Sequence, residues 1–150
     1  MTKQLFFDTS ALVKLYHQEE GTAVLDNLLA EEQFVIVISD LCIIEMVSAL
    51  AKKVRTEEIT AAVFEAVVTA FEEDVLGFEV LHISQEEKHR AVELLKSWGL
   101  EEGLRTLDAL QLASALTRNM TTSLDLFVAA DSTLVSVAKK ESLPVLLVQR

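Results

Sequence analysis

"LFFDTSALVKLY", residues 5–16, decides how the rest of the chain is read. Leu5–Phe7 form a short β-rich run, Asp8 follows, and Thr9–Ser10 open a stretch with helical spacing over residues 9–17. The same phrase returns in "FVAADSTLVSVA" at 127–138, with Asp131 in the slot of Asp8 and Ser132–Thr133 in that of Thr9–Ser10. An aspartate in front of a helix accepts hydrogen bonds from the free N–H groups of the first turn, so each aspartate alone reads as a cap. The hydroxyl pair behind each could cap in its place. Both aspartates would then be free to face a ligand.

Outward from this phrase, five β-rich runs stand at 5–7, 34–38, 78–83, 126–130 and 145–148. Helically spaced segments fill the gaps at 9–17, 22–30, 41–53, 57–75, 85–98, 106–118 and 132–140. Apolar strands alternating with helices predict an α/β fold around a parallel sheet. In such a sheet every strand ends on one edge, and each crossover helix starts there. Asp8 and Asp131 follow the first and fourth strands onto that edge. Asp108, in "RTLDALQLASAL", lies in the first turn of the helix leading into strand four, and Glu45 lies about one turn into the helix after strand two. Asp125 precedes strand four and belongs at the opposite edge.

Each acid also has a plainer account. Asp108 suits the positive end of a helix dipole, with Thr106 as cap and Arg105 three residues back. Asp40 reads as the cap of the 41–53 helix. Glu45 is flanked by Leu41, Cys42, Ser48 and Ala49, and a glutamate on so apolar a face needs a partner or a metal if it is buried. Taken together, four converging carboxylates repel one another unless a cation joins them. An all-oxygen set suits a hard octahedral ion, Mg²⁺ or Mn²⁺ rather than zinc.

The bulk properties narrow the choice further. A length of 150 residues predicts one domain, 1–150. Mean hydropathy is +0.33, yet the longest apolar runs are too short to span a bilayer, and the N-terminus does not resemble a signal peptide. One cysteine, Cys42, excludes an intrachain disulfide and a cysteine metal cluster, and fits a reducing cytoplasm. The charge of −11, from 13 basic against 24 acidic residues, argues against a broadly basic nucleic-acid binder and for cations or a basic partner. Lys52, Lys53 and Arg55 form a small basic cluster, as do Lys139 and Lys140. His17, His82 and His89 are scattered without metal-pair spacing, Trp98 reads as core or a helix-end anchor, and 57–75 is amphipathic, for packing or for walling a cleft. Neither GxSxG, a Gly-rich phosphate loop nor GxGxxG occurs. A receiver-like signalling module needs adjacent acids after strand one and a lysine after the last strand, where this chain has Asp8 alone and "LPVLLVQR".

"DTSALVKLY", the glutamate of "IIEMVSAL", "LRTLDALQLASAL" and "FVAADSTLVSVAKKESLPVLLV" together resemble the PIN-domain ribonucleases, above all the VapC-type toxins of toxin–antitoxin pairs. The resemblance spans nearly the whole chain in the family's order. It implies a three-layer α/β/α sandwich with a five-stranded parallel sheet. It also implies Mg²⁺- or Mn²⁺-dependent cleavage of RNA, a homodimer, and inhibition by a small antitoxin whose tail enters the cleft. The family's acidic quartet falls on Asp8, Glu45, Asp108 and Asp131, and Ser10 matches a hydroxyl often beside the metal. A PIN-like binding subunit with little catalysis of its own is the other expectation. Two departures stand out: Glu141–Ser142 replace a glycine common before the last strand, and no Thr stands two positions before Asp131.

Overall fold

Alternation along the first strand sorts the chain into layers. In the computed structural model, which describes residues 2–30 and 33–148, β1 (Lys3–Phe7) sends Phe6 to one face of the sheet and Leu5 and Phe7 to the other. Phe6 packs in one buried cluster with Val37 of β2 (Phe34–Ser39) and Phe127 and Ala129 of β4 (Leu126–Ala129). The Phe6 and Phe127 rings stack with centroids 5.4 Å apart. Covering that face are α5 (Gln85–Glu102), α6 (Thr106–Thr121) and α7 (Ser132–Lys140). Leu5, Phe7, Ile36, Ile38 and Val128 form the opposite cluster under α1 (Thr9–Leu12), α2 (Thr22–Ala30), α3 (Asp40–Arg55) and α4 (Ala61–Val75). Two helical layers thus enclose one sheet, the α/β/α sandwich expected.

With β3 (Glu79–Leu81) and β5 (Val145–Leu147), the sheet has five strands, all parallel, in the order β3-β2-β1-β4-β5. The chain steps outward from β1 to β3, crosses back, and lays β4 against the free side of β1. The crevice at the carboxyl ends of β1 and β4 is therefore the topological switch point where open α/β sheets bind their ligands. Asp8 and Asp131 sit on either side of it. At the amino edge, Arg118 grips Glu79 through two hydrogen bonds and also donates to Gln4 Oε1 and Thr122 O. Asp125 accepts from Gln4 N at that same edge, as its position before β4 predicts.

Several boundaries differ from expectation, three of them most. The first helix closes after Leu12 into a 3-10 turn at Val13–Leu15, where the buried Lys14 bonds Glu19 Oε1 and Glu20 O. Residues 57–60 form a turn rather than helix: Glu57 takes a φ of 63°, and α4 starts behind Thr60, whose hydroxyl accepts from Val63 N. The third strand shrinks to Glu79–Leu81. Trp98 is a helix anchor, its Nε1 donating to Glu141 Oε2 at 3.0 Å. That contact gives a use to one residue of the Glu141–Ser142 pair. The other, Ser142, adopts the left-handed φ of 69° that a glycine takes without strain.

Candidate active site

Asp8 ends β1 with extended backbone and caps α1 itself: its Oδ2 accepts from Ser10 N at 3.2 Å and from Ser10 Oγ. Asp131 likewise caps α7, its Oδ1 accepting from Leu134 N at 3.0 Å. This corrects the expectation that the hydroxyl pairs do the capping. Thr9–Ser10 and Ser132–Thr133 already lie inside the first turns, where only the residue before them has the backbone geometry of a cap. Capping and facing the cleft are compatible, because both bonds to Asp8 land on Oδ2 and Oδ1 carries none among the described residues.

The freed hydroxyls tie the crevice together. Ser10 Oγ accepts from Ala130 N at 2.9 Å while donating to Asp8, so it joins the end of β1 to the end of β4. Thr9 Oγ1 donates to Glu45 Oε1 at 3.0 Å across to α3. Glu45 is half-buried, and its same oxygen accepts from Gln111 Nε2 at 2.8 Å. Asp108 stands half-buried in the first turn of α6, with Arg105 Nε 3.9 Å away. Arg105, not Thr106, occupies the cap position there and makes no side-chain cap. Asp40 also departs from its expected role. It is the first residue of α3, and its carboxylate bonds His82 Nδ1 and Ile83 N beyond β3.

All four acids, Asp8, Glu45, Asp108 and Asp131, line one open cleft of about 520 Å³ together with Ser10, Ser48, Lys52, Arg55 and Arg105. Helix α4 contributes nothing to it. Burial pushes the Asp8 carboxyl up to about 6; Ser10's hydrogen bonds oppose the rise, and the nearby charges of Asp108 and Glu45 add to it. Asp108 is raised too, first by burial, then by Asp131, with Arg105 pulling the other way. The cleft therefore holds negative charge at a cost to the fold, which a cation would relieve.

Among the described residues, no group of three His, Cys, Asp or Glu side chains is arranged to close around a metal ion. Mg²⁺ does not need such a cage: it keeps several waters and takes one or two carboxylates. A water-rich site using Asp8 Oδ1 and one neighbouring aspartate fits these donors.

A family model of the PIN domain matches residues 5–146. The chain belongs to the PIN-domain family. Solved structures with the same fold include FitAcB from Neisseria gonorrhoeae, at a TM-score of 0.66 and 16% identity over 94% of this chain and 95% of that one. The PIN fold is shared also with VapC20 of Mycobacterium tuberculosis, described as a Sarcin-Ricin loop cleaving toxin (TM-score 0.66, 18% identity, 88% and 93% covered). VapBC2 from Rickettsia felis, bound to a fragment of promoter DNA, gives a TM-score of 0.63 at 15% identity, with 95% and 97% covered. A search of curated proteins finds no significant sequence match. No helix of the described PIN domain is long and apolar enough to cross a membrane.

Two features escape the sequence reading. Lys52 and Arg55 register there only as a basic cluster, although they continue the face of α3 that carries Glu45, Ser48 and Ala49. Gln111 goes unnoticed, although a lone amide among Leu110, Leu112 and Ala113, one turn after Asp108, is the signal of a buried polar contact.

Proposed function

We propose that this PIN domain is a Mg²⁺- or Mn²⁺-dependent endoribonuclease acting as the toxin of a toxin–antitoxin pair. One observation carries the reading: four carboxylates from four separate segments line a single cleft at the β1/β4 crevice, two of them held there against raised pKa values. The RNA-cleaving description of one structural relative supports the substrate class. The repeated VapBC relatives support a small antitoxin as partner. A homodimer working in the cytoplasm completes the proposal.

Asp8 and one of Asp108 and Asp131 would hold the ion directly, and the remaining acids, Glu45 among them, through its waters. When bound, it supplies a water of lowered pKa and neutralises charge on the scissile phosphate. Glu45, with Oε1 engaged by Thr9 and Gln111, turns its other oxygen to the task of orienting or deprotonating the attacking water. Lys52, Arg55 and Arg105 line the same cleft as cations for the flanking RNA backbone.

The test compares wild type, Asp8→Ala and Asp108→Asn on structured RNAs with Mg²⁺, Mn²⁺ or EDTA, alongside Mn²⁺ binding by calorimetry. Cleavage and metal uptake by wild type alone are expected. Equal cleavage by all three proteins would point to a contaminant. A wild type that binds no ion and cuts nothing would favour a PIN-like binding subunit.

A further inference from the structure

Gln111 is fully buried, on α6 one turn after Asp108. A buried amide must place both of its ends, and here chemistry decides which end points where. A carboxylate only accepts hydrogen bonds, so the amide group facing Glu45 Oε1 at 2.8 Å is the Nε2 donor. The carbonyl Oε1 then faces Ser39 Oγ at 2.9 Å, and that buried hydroxyl donates to it. Nε2 also lies 3.3 Å from Thr9 Oγ1, which donates in turn to Glu45. The donors run one way, from the end of β2 through α6 to the glutamate on α3.

Both bonds terminate on a single oxygen of Glu45, Oε1, and Oε2 carries none among the described residues. We infer that Gln111 is a positioning residue: with Ser39 behind it, it locks the Glu45 carboxylate so that Oε2 alone is presented to the cleft. Its location suits that task. It does not line the cleft, so it touches neither RNA nor ion. One turn of α6 thus delivers a carboxylate to the cleft and the group that aims another helix's carboxylate. Groups that orient a metal-site ligand from behind contribute about 10- to 100-fold to metal affinity or turnover.

The inference rests on the nuclease reading above, and the experiment separates the two. Gln111→Met keeps length and volume but removes the donor. Because it also strands the buried Ser39 hydroxyl, the double variant Ser39→Ala/Gln111→Met is made beside it, leaving no orphaned polar group. Full-length proteins are compared for thermal stability, Mn²⁺ affinity by calorimetry, and kcat and KM on a cleavable RNA. The expected result is a fall of about 10- to 100-fold in kcat, in Mn²⁺ affinity or in both, with KM unchanged. That loss should persist in the double variant even where stability returns to the wild-type value. A stable double variant with wild-type kcat and Mn²⁺ affinity, or one whose only change is a higher KM, overturns the positioning role while the nuclease reading stands. A wild-type protein without metal uptake or cleavage overturns both.

Discussion

At the scale of single residues, Asp8 shows how a site is held against the stability of the fold. Its carboxyl is nearly all buried, and its rise to about 6 is a statement about folding as well as binding. Between the ordinary aspartate range near 4 and pH 6, the native chain holds the Asp8 proton while the unfolded chain has lost it. Native protein binds more protons in that window, so raising the pH through it removes stability, by up to about 3 kcal/mol once pH 6 is passed. Asp8→Asn keeps the cap acceptor without the charge. In EDTA, urea unfolding should find this variant equal to wild type near pH 4 and more stable by about 1 to 3 kcal/mol at pH 7. Added Mn²⁺ should reverse the order by stabilising wild type alone. A pH-independent difference between the two proteins would show that the buried charge is not what destabilises the metal-free site. Asp8, Asp108 and Asp131 were legible from position, since each follows a strand or opens a helix, and Glu45 from the apolar face that carries it one turn into α3. The amide behind Glu45 was not, because its role depends on β2, α3 and α6 meeting in space.

At the scale of elements, helix bodies were legible and helix ends were not. The ranges of α2 and α7 match their periodic segments, Thr22–Ala30 and Ser132–Lys140. By contrast, α5 runs through Gly99, where the sequence suggests a stop, and ends only at Gly103 with φ 73°. What ends α3, α5 and α7 is a left-handed residue that lets the chain turn away, and glycine is only its commonest bearer. Glu57 and Ser142 take that conformation with side chains that do not advertise it. At the end of α7 the pattern is complete: Ser142 N donates to Lys139 O and Leu143 N to Ala138 O, closing the turn and burying Leu143. Ser142→Gly should therefore relieve strain, raising stability by about 1 kcal/mol. The site lies at the other end of α7, so RNA cleavage should not change; a lower melting temperature would contradict this account.

At the scale of the whole molecule, a charge of −11 and a proposed polyanionic substrate must be reconciled. Most cations near acids are already engaged: Lys14 and Lys53 share Glu19, Arg118 holds Glu79, and Lys140 reaches Glu102. Lys52 and Arg55 have no ion-pair partner among the described residues, and both line the cleft. RNA binding should accordingly weaken in chelator and in salt. Removing Lys52 or Arg55 should flatten the slope of log affinity against log salt by about 0.7 for each RNA phosphate left without its cation. Filter binding across a salt series, with and without Mg²⁺, measures both effects, and an affinity indifferent to EDTA would break the electrostatic picture. The layered α/β arrangement was readable because strand and helix alternate so regularly. The strand order was not, since nothing local tells β4 to pair with β1. That pairing sets a timetable. While the chain is being made, Asp8, Glu45 and Asp108 are all present before the segment carrying Asp131 exists, and Asp131 joins them only when β4 docks beside the first strand synthesised. Contacts so distant along the chain form late. On the proposed nuclease reading, a chain stopped before Asp131 lacks one wall of the cleft, so cutting would have to wait until nearly the whole molecule is in place.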